Sequence, residues 1–181
     1  MSYALPRVAI NNLSPETTGY FYMSWTLMNF VLLIPRAVAS SMFVEGVHGS
    51  GNLQRIAARS LLLMIGLVLP IMFSLWFLGH WVLSLFGKAY INTPLLRLLL
   101  ISVIPFCFNS VLFMSLRVQK RLLKAVVLSG VIAAATIILA SLLTTRLGLL
   151  GIAWGWLLGH TIPALCVMGI LGSRLLARNA R

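Results

Sequence analysis

Arg36 is the residue whose type and place most need a chemical account. It stands inside an apolar stretch running from Tyr20 to Val44, and an arginine near the middle of a membrane span costs at least about 2.5–3.5 kcal/mol on insertion scales. Two readings of it stand side by side. In the first, the guanidinium faces a water-filled cavity and contacts an anionic group such as a phosphate or pyrophosphate, whose geometry its planar fork matches. In the second, the long side chain snorkels to the nearer interface, about eight residues away at the end of the stretch. A second basic group, Arg117, Lys120, Arg121 and Lys124, is packed into one short segment. Each of its charges attracts anionic lipid headgroups by about 1 kcal/mol.

Acidic chemistry is almost missing. The chain has no Asp and two Glu, Glu16 and Glu45, so paired carboxylates, Mg or Ca cages and a Ser-His-Asp triad cannot be assembled. His48, His80 and His160 have no zinc-ligand spacing and read as interfacial or helix-packing groups. Cys107 and Cys166 fall in apolar segments, where cysteine behaves as a small apolar residue. The expectation is therefore a protein that is not an enzyme and that holds no metal and no cofactor.

The elements that must position Arg36 follow from composition. Of the 181 residues, 60% are hydrophobic and 9% charged, whereas soluble domains carry about 25% charged residues. Lipid, not water, must face most of this surface. About 20 apolar residues of helix cross the hydrocarbon layer, and five segments meet that length: residues 20–44, 60–86, 95–117, 122–145 and 149–172. They lack the two-residue alternation of barrel strands and are apolar all round, so each reads as a spanning helix whose backbone groups are satisfied internally. The fold class is all-α, a polytopic membrane protein. Residues 1–19 form an outer N-terminal segment without the apolar run of a secretory signal, and residues 173–181 form a basic tail.

Pro35, Pro70, Pro105 and Pro163 lie within spans and are expected to kink them. Gly151, Gly155 and Gly159 form a smooth stripe on the last span. Ser129 with Ala133, and Gly130 with Ala134, offer a similar strip on the fourth, so these two helices are expected to pack on each other or on a partner. Trp76, Trp81 and Tyr90 read as anchors at the outer end of the second span.

Orientation comes from the 14 Lys and Arg residues. Alternating spans place nine at one end, Arg55, Arg59, Arg117, Lys120, Arg121, Lys124, Arg174, Arg178 and Arg181, and four at the other, Arg7, Lys88, Arg97 and Arg146. The positive-inside rule makes the richer end cytoplasmic, with the C-terminus inside and the N-terminus outside. Because these charges flank spans and do not line one soluble face, the net charge of +12 calls for no nucleic-acid partner. Membrane lipids are the expected surroundings.

Four stretches carry a family resemblance: Leu13-Ser14-Pro15-Glu16 followed by Gly19-Tyr20-Phe21-Tyr22; Ile34-Pro35 with Ala37, then Phe43-Val44-Glu45-Gly46; Leu85-Phe86-Gly87-Lys88-Ala89-Tyr90; and Gly148-Leu149-Leu150-Gly151-Ile152-Ala153-Trp154-Gly155. In order and spacing the chain resembles the C-terminal part, from the eighth span to the twelfth, of a polysaccharide-exporting flippase of the multidrug/oligosaccharidyl-lipid/polysaccharide exporter superfamily. The resemblance implies five helices forming about one lobe of a two-lobed transporter that works by alternating access. It also implies an inner-membrane location, an undecaprenyl-pyrophosphate-linked glycan as substrate, and a separate N-terminal lobe, since the first seven or so spans have no counterpart here. Arg36 stands where many relatives would place a small residue, so it is a local candidate and not a family site. The alternatives are the cation-coupled drug-exporting branch, which normally needs a membrane-buried carboxylate, and a truncated membrane protein that transports nothing.

Overall fold

The computed structural model describes residues 9–10, 14–48, 52–87 and 90–179, with side chains up to residue 165. Among the described residues from Pro15 on, six helices follow one another: α1 (Pro15–His48), α2 (Leu53–Ser84), α3 (Thr93–Ile101), α4 (Val103–Val118), α5 (Leu122–Leu147) and α6 (Leu149–Asn179). Strands are absent among the described residues. α1, α2, α5 and the α3–α4 pair are each long and apolar enough to cross a membrane, and α6 is apolar over Leu149–Leu165. The fold is therefore that of an all-helical, multi-pass membrane protein. Lys88, Arg7 and Arg181 lie outside the described residues, as do the side chains of Arg174, Arg178 and Cys166.

The helices start where capping chemistry lets them, not where hydropathy rises. α1 begins at Pro15, five residues before the apolar stretch, because Ser14 caps it through Thr17 N–H, Pro15 needs no partner at the first position, and Glu16 complements the helix dipole. The Ser-Pro-Glu run placed in the outer segment is thus a helix start. Asn52 accepts from Gln54 N–H at 2.9 Å and starts α2 well before residue 60. Asn92 accepts from Leu95 N–H at 3.2 Å and starts α3.

Pro105 divides the third span. With no N–H to give, it leaves the Ile101 carbonyl without its helical donor, and its ring crowds that carbonyl. α3 ends at Ile101 and α4 begins at Val103. Ser102 at the break turns its hydroxyl back to the Leu99 carbonyl at 2.5 Å. Pro35, Pro70 and Pro163, by contrast, lie inside helices that continue past them.

Contacts along the helices give their directions. Tyr20 meets Tyr90 edge-on at 5.6 Å, Arg36 meets Phe106, and Gly46 lies against Val118, so α1 runs parallel to α3–α4. α2 runs back antiparallel to both, with Gly79 pressed on Leu96. Phe21, Met28 and Leu32 of α1, Leu95, Leu99 and Leu100 of α3, and Ile152 of α6 make the fully buried core. The outer faces of α2 and α5 stay apolar and exposed, among them Leu62, Phe73, Trp81, Leu123 and Leu142, as a lipid-facing surface requires.

α5 and α6 form the most extensive helix pair. The stripe on α6 is Gly151, Gly155 and Gly159, as expected, but its counterpart on α5 is corrected. A Cβ on Gly151 would strike the backbone of Leu143 and Thr144, one on Gly155 would strike Ala140, and one on Gly159 would strike Thr136. The facing row is Thr136, Ala140 and Thr144, all buried, while Gly130 and Ala134 are exposed. Each of the two threonines turns its hydroxyl to its own helix, to Ile132 and Ala140 carbonyls respectively.

Candidate functional site

Arg36 is fixed by the seam between α1 and α4. Because the two helices run parallel, one residue after another pairs across that seam, and the guanidinium carbon comes to lie 5.9 Å from the centre of the Phe106 ring. The side chain is half-buried and faces the bundle. This cation–π contact holds the charge against an aromatic face inside the helical interior.

Phe106 ends a row of rings that crosses the bundle. Phe21 stacks on Trp25 at 5.6 Å, Trp25 meets Trp156 edge-on at 5.0 Å, and Trp156 lies 4.1 Å from the His160 ring. His160 in turn lies 5.6 Å from Phe106. Three helices, α1, α4 and α6, thus contribute to one centre. The row exists because Trp156 and His160 are four residues apart and share one face of α6.

Polar groups are threaded through this row. His160 Nδ1 is 3.0 Å from the Trp156 carbonyl, an acceptor, so that nitrogen carries the hydrogen. Asn109, one turn beyond Phe106 on α4, donates from Nδ2 to the His160 carbonyl at 2.8 Å. Three buried polar atoms, Ser24 Oγ, Asn109 Oδ1 and Trp156 Nε1, have no hydrogen-bond partner among the described residues. Such groups are costly in a native interior. Donor and acceptor capacity thus lies beside a cation, while Glu16 and Glu45 are both exposed near the ends of α1.

The second basic group is brought together at the opposite end of the same seam. Arg117, Lys120, Arg121 and Lys124 are exposed around the α4–α5 turn. Arg117 lies over Phe43 of α1 at 5.0 Å and over Phe113 at 5.7 Å. Phe43 follows Arg36 by seven residues, or about 10 Å of helix. Arg36 and Arg117 therefore both lie on the seam between α1 and α4. His48 and His80 are exposed, whereas His160 belongs to the central row.

Sequence reasoning missed Asn109, Trp25, Trp156 and Phe106 as members of this centre. The available signal was the depth of Trp25 and Trp156, both within spans and away from the interfaces where tryptophan usually concentrates. Trp81 is exposed near the end of α2, in keeping with an anchor, while Trp76 lies under Arg97 at 5.0 Å and Tyr90 packs on Tyr20. Cys107 is a buried free thiol. No family model, curated protein or solved structure matches this chain.

Proposed function

We propose that the chain is part of a lipid-linked oligosaccharide flippase that moves an undecaprenyl-pyrophosphate-linked glycan across the inner membrane during polysaccharide assembly. The observation that carries this reading is the placing of Arg36 and Arg117 on one seam between α1 and α4. An anionic headgroup gathered at the basic turn of Arg117, Lys120, Arg121 and Lys124 meets the Arg36 guanidinium about 10 Å further along the same seam. A drug exporter coupled to sodium or protons would place a carboxylate inside a span, and both acidic residues of this chain stand near the ends of α1. In this proposal the basic turn faces the cytoplasm, and a separate N-terminal lobe completes the transport path.

The test is polysaccharide export in a host complemented with the full transport system. Arg36→Ala is expected to abolish export at unchanged protein level, and Arg36→Lys to restore part of it if charge alone suffices. Normal export by Arg36→Ala overturns the assignment of Arg36, and unchanged export after deletion of the whole chain overturns the proposed function.

A further inference from the structure

Gly66, Pro70, Phe73 and Phe77 recur at the four- and three-residue steps of one helix face. Along this face of α2 the surface is hollowed into an open groove of about 770 Å³. The hollow follows from side-chain size. Gly66 brings no side chain, and a Cβ there would meet nothing within 4 Å. Pro70 adds only its ring one turn on, and Phe73 and Phe77, tilted against each other at 4.7 Å, rise beyond it as a wall. Trp76 lines the end of the groove nearest Ser84.

A charge stands at that end. Arg97 of α3 is exposed, with its guanidinium carbon 5.0 Å from the centre of the Trp76 ring, and its Nη2 donates to the Trp76 carbonyl at 3.5 Å. Both partners are uncharged, and the two acidic side chains of the protein, Glu16 and Glu45, stand on α1. The ring thus fixes the place of the cation without neutralising it, and the guanidinium keeps further N–H groups to donate.

Depth identifies what meets this cation. The apolar run of α2 begins at Ser60, after Arg59, and about 20 residues of helix cross the hydrocarbon layer, which places its edge near His80. Trp76 is one turn inside that edge, so the long Arg97 side chain reaches the level of the lipid headgroups. Gly66 is ten residues deeper, about 15 Å, which is half of a hydrocarbon layer of about 30 Å. The groove therefore runs the depth of one leaflet, starting from its charged end.

We infer that this face of α2 binds one glycerophospholipid of net negative charge, from the leaflet at the α2–α3 end of the bundle. The phosphate meets Arg97, and one acyl chain lies over Phe77, Phe73 and Pro70 and ends at Gly66. The site is at the opposite end of the bundle from the basic turn at Arg117, and it does not depend on the transport reading.

The probes are dioleoylphosphatidylglycerol and dioleoylphosphatidylcholine, which share their acyl chains and differ in net charge. Each is titrated against the detergent-solubilised full chain, and bound copies are counted by native mass spectrometry. The background is Arg117→Gln, Lys120→Gln, Arg121→Gln and Lys124→Gln, which removes the competing anion site at the other end. Phosphatidylglycerol is expected to bind about fivefold more tightly than phosphatidylcholine, the worth of one basic side chain at a headgroup. Arg97→Gln is expected to abolish that preference and Arg97→Lys to keep most of it. Gly66→Phe, which fills the groove and leaves Arg97 untouched, is expected to weaken both lipids at least fivefold. Equal affinities in the background chain overturn the proposal, as does a preference that survives Arg97→Gln or saturable binding unchanged by Gly66→Phe. Absence of saturable lipid binding overturns it too, as do dimers that Gly66→Phe dissociates, which would mean that a second copy fills the groove. Should Arg97→Gln fail to fold, the comparison of the two lipids and Gly66→Phe decide between them.

Discussion

Gly155 of α6 lies against the Cα of Ala140 in α5 so closely that no Cβ fits between them. Two helices that approach at this distance gain backbone-to-backbone packing, which is the main attraction open to helices in a lipid solvent. The same approach repeats a turn away on either side, at Gly151 and Gly159.

Substitution of Gly155 by Leu is therefore expected to push α5 and α6 apart and cost about 1–3 kcal/mol, the usual range for overpacking. Gly130→Ala is the control, since a Cβ at Gly130 meets nothing within 4 Å, and it should leave stability unchanged or slightly raised. Thermal unfolding in detergent, followed by near-ultraviolet circular dichroism, reads both variants. Equal midpoints for Gly155→Leu and the unsubstituted chain would show that the pair is held by something other than this contact.

Lys120 is the one non-glycine residue with positive φ, at 57°, among the described residues. It ends α4 in a turn closed by Arg121 N–H on the Leu116 carbonyl at 2.9 Å, the position where helices favour glycine. Lys120→Gly is expected to stabilise the chain by about 1 kcal/mol through relief of the left-handed conformation. Gly148, with φ 57° and ψ −133°, gives the opposite test, and Gly148→Ala should destabilise. A lower melting point for Lys120→Gly would mean that its charge, not its backbone, decides stability at this turn.

Orientation is tested by cysteine labelling in a Cys107→Ser, Cys166→Ser background. In intact cells, Gln119→Cys is expected to resist a membrane-impermeant maleimide until the membrane is opened, and Thr145→Cys to react at once. Converting Arg117, Lys120, Arg121 and Lys124 to Gln leaves five basic residues at one end against four at the other, and the populations of the two orientations should then become mixed. Immediate labelling of Gln119→Cys in intact cells would reverse the orientation argued from charge.

Hydropathy alone made the helices legible, because an apolar run of this length has no other folded form in lipid. Their ends were not legible from hydropathy, since Ser14, Asn52 and Asn92 extend helices into polar sequence by capping. Pro105 was visible as a perturbation, but four prolines looked alike in sequence and one of them broke its helix. The glycine stripe on α6 was readable; its partner row was not, because threonine was not counted among the small residues. Yet counting outward in both directions from the peptide bond between Leu147 and Gly148 brings Gly151 to Thr144, Gly155 to Ala140 and Gly159 to Thr136, so the tight turn itself contained the register. Arg36 was legible as an anomaly of charge. The ring row beside it depends on which faces of three helices meet, and no spacing within one helix reveals that.

Gly148 joins α5 to α6 by a single residue, and this bears on how the chain is made. A link that short cannot be left outside while one helix inserts and the other waits, so α5 and α6 must enter the bilayer as one hairpin. Their contacts are close in sequence and form early. In the orientation proposed above, Arg146 is the one Lys or Arg between residues 125 and 165 that the hairpin must carry across. Its place two residues before the turn puts that charge at the leading tip, where it crosses once and stays in water.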